Sequence, residues 1–157
     1  MSKNKTQGKI NIQNKKAYFE YEITEKFTAG IVLTGTEIKS IRQGKASLNE
    51  AYCKFFDNEL YVLMHISEYD HGGVFNHEPD RKRKLLLNKR EIKRLRKKVE
   101  ESGYTVVPLD MFFNENGFVK LTIALAKGKK LYEKRNTLKE KDIEREISRE
   151  LKNRKQH

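Results

Sequence analysis

The 157-residue sequence has a single cysteine, Cys53, no tryptophan, and no apolar run approaching the roughly 20 residues that a membrane-crossing helix needs. A lone cysteine excludes an intrachain disulfide and points to a reducing compartment. The opening MSKNKTQGKINIQ lacks the apolar stretch of ~7–15 residues that marks a secretory leader. No segment pairs a basic face with the bulky apolar face that holds an interfacial helix in a lipid surface. The expectation is a soluble cytoplasmic protein with no membrane partner. Catalytic signatures are also missing. There is no G-x-S-x-G, no H-E-x-x-H and no phosphate loop, since the GKK at Gly128 lacks the spacer and the Ser/Thr that such a loop requires. Neither an enzymatic activity nor a cofactor is expected. No repeat of solenoid period is visible, and the length suits one domain burying about two-thirds of its unfolded surface.

What the chain does have is positive charge, unevenly placed. Its formal net charge is +12, but residues 17–80 carry 5 cations against 11 acids. The excess lies in residues 1–16, with 5 cations and no acid, in 81–98, with 11 and 1, and in 127–157, with 12 and 6. Charge kept only for solubility would not segregate in this way, and cations of this density suit a polyanion, most naturally a nucleic acid.

The pattern predicts a flexible basic arm over 1–16, a barrel over 17–126 and a basic tail over 127–157 that is disordered, or helical when bound. YFEYEIT alternates apolar and polar residues as a half-buried strand does, and FTAGIVL continues as a second strand. At Thr34 the period changes: Thr34 and Glu37 form a capping box, Ile38 and Ile41 share a face, and Gly44 stops a short helix. AYCKFF, ELYVLMHI, YTVVPLDMFF and FVKLTIALA supply four more strands, with Asp57–Asn58 and the NENG at 114–117 as hairpin turns. A longer helix starts at Asn88, capped with Glu91, presents Ile92, Leu95 and Val99 inward, and ends at Gly103. Six short strands with two or three helices predict a mainly β, OB-like antiparallel barrel, a class whose outer face commonly takes oligonucleotides.

The block RKRKLLLNKREIKRLRKK leaves most of the helix circumference to Lys and Arg. Like charges recur at i,i+4 in Lys89/Lys93, Lys93/Lys97, Arg90/Arg94 and Arg94/Lys98, each costing a few tenths of a kcal/mol in the free helix. Phosphate is the ligand that repays them, and Lys84, Lys89, Lys93 and Arg94 are the candidate contacts. His65, His71 and His77 recur every six residues, too far apart for a zinc cluster, so no metal is expected. Asn76 to Pro79 reads as a turn held by side-chain hydrogen bonds. In the tail, Ile143, Ile147 and Leu151 fall at i,i+4, a helical stripe one residue wide that is marginal alone in water.

Several blocks in order, NKKA, AGIVLTGTEIKSIRQGKASL, NHEPDRKRKLLLNKREI, GYTVVPLDMFF and KLTIALAKGKKLYEKR, resemble the small protein B family, the SsrA-binding proteins. That resemblance implies a six-stranded OB-like barrel that binds the tRNA-like domain of transfer-messenger RNA and enters a stalled ribosome with it. It implies elongation factor Tu and alanyl-tRNA synthetase as partners reached through the RNA, and a tail that senses the empty mRNA channel beyond the decoding centre. Carried over by position, Leu86 and Lys120 bind the RNA, and so does Thr28, where the family commonly has Glu. Lys127, Gly128, Lys129, Lys130, Tyr132, Glu133, Lys134 and Arg135, with Ile143 and Ile147, form the ribosome-binding tail, Glu133 standing where Asp is usual. Two other classes compete: an RNA-processing enzyme using His65, His71 and His77, and a general coating protein for single strands, which exposed aromatics would favour.

Overall fold

The computed structural model describes residues 10–101, 103–129, 143, 145–147 and 149. The ordered elements are β1 (Asn11–Gln13), α1 (Lys15–Glu20), β2 (Tyr21–Ile31), α2 (Gly35–Arg42), β3 (Ala46–Phe56), β4 (Glu59–Ile66), a single 3-10 turn (Gly73–Phe75), β5 (Arg83–Leu86), α3 (Lys89–Glu100), β6 (Tyr104–Phe113) and β7 (Val119–Gly128). All strand pairs are antiparallel, in the order β1-β6-β7-β2-β5-β4-β3, and β3 packs back against β6 and β1. The sheet thereby rolls into a nearly closed barrel.

Seven strands replace the six expected. The two strands read at the start of the barrel are one helix followed by one long strand. Asn14 caps α1, accepting the Ala17 amide at 3.2 Å and donating Nδ2–H to the Pro108 carbonyl at 2.9 Å. With that anchor Tyr18 and Phe19 turn helically, and the alternation of YFEYEIT survives only from Tyr21 onward. Asn11–Gln13 leaves the supposed arm to pair with Asp110–Phe112 on the sheet edge. β5 is short enough to have been hidden inside the basic block; it bridges β2 and β4.

Local signals elsewhere hold. Thr34 donates its backbone N–H to Glu37 at 2.8 Å, and Asn88 and Glu91 exchange bonds of 2.9 and 3.2 Å. Asp57 and Asn58 both adopt positive φ, 48° and 68°, as a two-residue hairpin of the primed type demands. Asn76 accepts the Tyr69 amide and donates to its carbonyl, so its side chain closes the loop that precedes it, over 69–76, where the sequence put a turn at Asn76–Pro79. The barrel interior is filled by Leu60, Val62, Leu85, Met111, Leu121 and Ile123, with Leu95 of α3 plugging one side. A second small cluster, Ala17, Val107, Leu109, Ala124 and Ala126, lies on the outer side of β6 and β7 beneath α1.

Candidate RNA interface

The register of the sheet assembles a site that the sequence distributes over three strands. β2 runs between β7 and β5, and Gly30 is the Cα partner of Lys120 on one side and of Leu86 on the other. Side chains of directly paired residues leave the same face, so Lys120, Gly30 and Leu86 form one row on the outside of the barrel. Phe112 and Asn11 extend it through β6 and β1. The neighbouring row is Thr28, Thr122, Asp110 and Gln13. Thr28 is thus exposed on the same face as the other two residues that the resemblance singled out.

Glycine at position 30 is what lets the row close up. A Cβ there would lie 3.3 Å from Leu86 Cβ and 3.7 Å from Lys120 Nζ. Around Leu86 and Lys120 a shallow groove of about 370 Å³ is lined by Val32, Ile38, Phe118 and the backbone of Gly30. Three of its apolar side chains are open to solvent: Val32 at 44%, Leu86 at 51% and Phe118 at 67%. Apolar groups gathered round one ammonium group suit a ligand with both flat apolar faces and negative charge.

Phe118 and Val32 escaped sequence reasoning because each sits inside or beside an apolar run that reads as core. The usable signal was NENG: the turn puts Gly117 at φ 81° and holds Phe118 through its amide to Asn114 Oδ1 at 2.9 Å, on the hairpin tip. Phe75 and Val74, also exposed, project from the 3-10 turn.

The basic block is only partly a surface. Arg83 is wholly buried and paired with Glu37, and Arg81 Nη2 reaches the same carboxylate at 2.6 Å. Lys84 is held by Glu59 at 2.9 Å, and that carboxylate keeps the ammonium above its ordinary range. Arg94 pairs with Glu25 at 2.9 Å. Lys89, Arg90, Lys93, Arg96 and Lys97 stay exposed on α3, while Leu95 is buried and Ile92 and Val99 are half-buried, as the stripe predicts.

Two residues assigned to the tail, Lys127 and Gly128, belong to the sheet. Lys127 and Gly128 are the last residues of β7, paired with Glu22 and Tyr21, and the Lys129 amide donates to the Glu20 carbonyl at 2.9 Å. Lys127 lies 4.3 Å from the Tyr104 ring centroid. Lys130, Tyr132, Glu133, Lys134 and Arg135 lie outside the described residues. Ile143 and Ile147 are helical and about half exposed.

The three histidines do separate jobs. His77 is buried, with Thr36 Oγ1 at 2.9 Å from Nδ1 and the Ile66 carbonyl at 2.9 Å from Nε2, so Nε2 carries the proton. His65 bonds Asp80 at 2.9 Å, and His71 meets the Tyr69 ring edge-on. Among the described residues no three His, Cys, Asp or Glu side chains converge as a metal site. Among them, too, no helix is long and apolar enough to cross a membrane.

A family model described as SmpB protein matches residues 11–153. The chain belongs to the SmpB family. The SsrA-binding protein of Phocaeicola vulgatus is 57% identical over 144 residues, 91% of this chain and 96% of its own. That of Treponema denticola is 52% identical over 149 residues, 94% of this chain and 96% of its own. Among solved structures, a chain from work on tmRNA-SmpB at the center of the bacterial ribosome is 46% identical, with a TM-score of 0.65 over 78% of this chain and 86% of that one. The family's barrel is therefore the frame on which the Leu86–Gly30–Lys120 row is built.

Proposed function

We propose that the chain is a noncatalytic cytoplasmic adaptor that binds the tRNA-like domain of transfer-messenger RNA and delivers it to stalled ribosomes for trans-translation. The observation that carries this reading is the row of Leu86, Gly30 and Lys120 across three strands, with the exposed groove beside it. Lys120 meets phosphate there, Leu86 and Phe118 pack on ribose or base, and Thr28 and Thr122 offer hydroxyls for 2′-OH groups. The exposed cations of α3 add sequence-independent attraction, steering the RNA and neutralising its backbone. Elongation factor Tu and alanyl-tRNA synthetase are reached through the bound RNA.

The C-terminal segment takes the second role. Lys130 to Arg135, with Ile143 and Ile147, enter the mRNA channel beyond the decoding centre when it is empty, the cations facing ribosomal RNA. The separate partners of His65, His71 and His77 favour this adaptor over an RNA-processing enzyme. A ribonuclease assay with and without chelator, alongside metal analysis, checks that point.

The decisive experiment is to identify the RNA that copurifies with the tagged protein from its own cells. Transfer-messenger RNA should dominate, and Leu86→Glu with Lys120→Glu should abolish its enrichment. Recovery of a broad mixture of unrelated single strands by the unaltered protein would sink the reading in favour of a general coating protein.

A further inference from the structure

Beyond the row at β2, the outer face of β3, β4 and β5 carries a second surface. It begins at Lys84, two residues before Leu86, and runs away from β2. Its cross-strand sets are Lys54, Tyr61 and Lys84; Tyr52 and Leu63; and Phe56 and Glu59. Phe56 and Tyr61 meet edge to face, their centroids 5.6 Å apart and their planes at 78°. Lys82 Nζ lies 4.3 Å from the Phe56 centroid and 5.1 Å from that of Tyr61, and Lys54 Nζ lies 5.4 Å from Phe56. Two ammonium groups thus converge on one phenyl ring.

Among the described residues neither Lys54 nor Lys82 has a carboxylate partner. The nearby acids do not fill that role: Glu59 is taken by Lys84 at 2.9 Å and by the Tyr61 hydroxyl at 3.0 Å, and Asp57 sits on the hairpin turn. The ring faces offset part of the repulsion between these cations, and an anion bound between them would relieve the rest. Tyr52, 48% exposed on the same face, lengthens the aromatic run. Rings that can take bases, flanked by cations that can take phosphates, are the makings of a platform for unpaired nucleotides, whereas a duplex keeps its bases stacked on one another.

We propose that this face binds unpaired RNA, with bases stacking on Phe56, Tyr61 and Tyr52 while Lys54 and Lys82 move from the ring faces to the phosphates. It is a second contact, independent of the Leu86–Gly30–Lys120 row and of which folded RNA that row holds.

The test uses the full chain and a short oligouridine carrying 5-iodouridine, with photocrosslinks mapped by mass spectrometry and affinity followed by fluorescence anisotropy. Crosslinks are expected at Tyr52, Phe56 or Tyr61. Phe56→Leu keeps the apolar bulk and removes the ring, so oligouridine binding should weaken by about fivefold or more, the scale of one lost stacking contact. Lys54→Glu with Lys82→Glu should weaken it by about tenfold at low salt, an effect that shrinks as salt rises. Neither variant should change the affinity for the folded tRNA-like RNA or the circular dichroism, whereas Leu86→Glu should weaken the folded RNA and spare the oligomer. Crosslinks confined to α3 or to the Leu86–Lys120 row would overturn the proposal, and so would unchanged oligomer affinity in both variants. Failure of the oligomer to bind at all would overturn it too, leaving the lysines to an acidic protein. If the unaltered protein fails with the folded RNA but behaves as described with the oligomer, the adaptor reading falls and this one stands.

Discussion

Arg83 and Glu37, 46 residues apart in sequence, meet in the interior with no solvent exposure on either side chain. Arg83 Nε donates to Glu37 Oε2, and its two other nitrogens reach the carbonyls of Met64, Arg81, Glu78 and Pro79 at 2.8–3.2 Å. Glu37 also accepts from Arg81 and from the Thr34 amide. One buried carboxylate therefore ties α2 to the segment that leads into β5, and so sets where Leu86 stands.

Removing Glu37 leaves Arg83 buried without a carboxylate, and removing Arg83 leaves the buried Glu37 with only Arg81 and the Thr34 amide. Arg83→Met should cost about 3–5 kcal/mol in urea unfolding at neutral pH. A loss below about 1 kcal/mol, the size of an exposed pair, would show that water reaches the site.

The same pair predicts an acid limb. Burial alone would raise the Glu37 carboxyl, but Arg81, the Thr34 amide and Arg83 outweigh it and hold the group below its ordinary 4.5. A depressed carboxylate stabilises the fold above its unfolded pKa and loses that contribution as pH falls through the folded value. Stability should therefore decline below about pH 4.5, and Glu37→Gln should flatten that decline while lowering stability at neutral pH. Parallel curves for the two proteins would count against the assignment.

Gly30 is predicted to be a spacing residue. With Leu86 Cβ only 3.3 Å from the position a Cβ would take, Gly30→Val must push Leu86 and Lys120 aside. Binding of the tRNA-like RNA should fall at least as far as with Lys120→Ala, while the far-ultraviolet spectrum is retained. Full binding by Gly30→Val would mean that the row does not touch RNA.

Salt dependence reports on α3. If about five phosphates are neutralised, log K should fall against log salt with a slope of roughly −4, taking about −0.9 per phosphate from duplex DNA. Lys89→Glu with Lys93→Glu should flatten the slope by about two contacts and leave the helix intact, since both side chains lie off the Ile92, Leu95 and Val99 stripe. An unaltered slope would remove α3 from the interface.

The barrel and the C-terminal segment should separate. A chain ending at Lys130 keeps every strand of the described residues, so melting and affinity for isolated tRNA-like RNA should be unchanged, while tagging of stalled nascent chains fails. Ile147→Pro, a helix breaker worth about 3 kcal/mol, should impair tagging and spare RNA binding. Normal tagging by the proline variant would mean that this segment acts as a charged tether without forming a helix.

What the sequence determined by itself is whatever a few neighbouring residues can decide. The Asn88–Glu91 cap, the Thr34–Glu37 pair, the Asp57–Asn58 turn and the inward stripe of α3 all depend on hydrogen bonds or periods spanning at most a dozen residues, and each stands where the pattern put it. The segregation of charge was equally legible, because it is a property of composition. Tertiary structure decided the rest. Tyr18–Glu20 could have begun a strand until Asn14 found the backbone of Leu109 and Pro108 and started a helix. Arg83 looked like one more surface cation until β5 slotted between β2 and β4 and turned it inward onto Glu37. Gly30, Leu86 and Lys120 became neighbours only through register, and register here includes shifts at Ile23/Glu25 and Pro108/Asp110 that no local pattern announces. A strand's alternation says which side chains share a face, but which residue lies opposite is settled by packing the whole barrel, where a slip of one residue would bury Lys120 and expose Leu121.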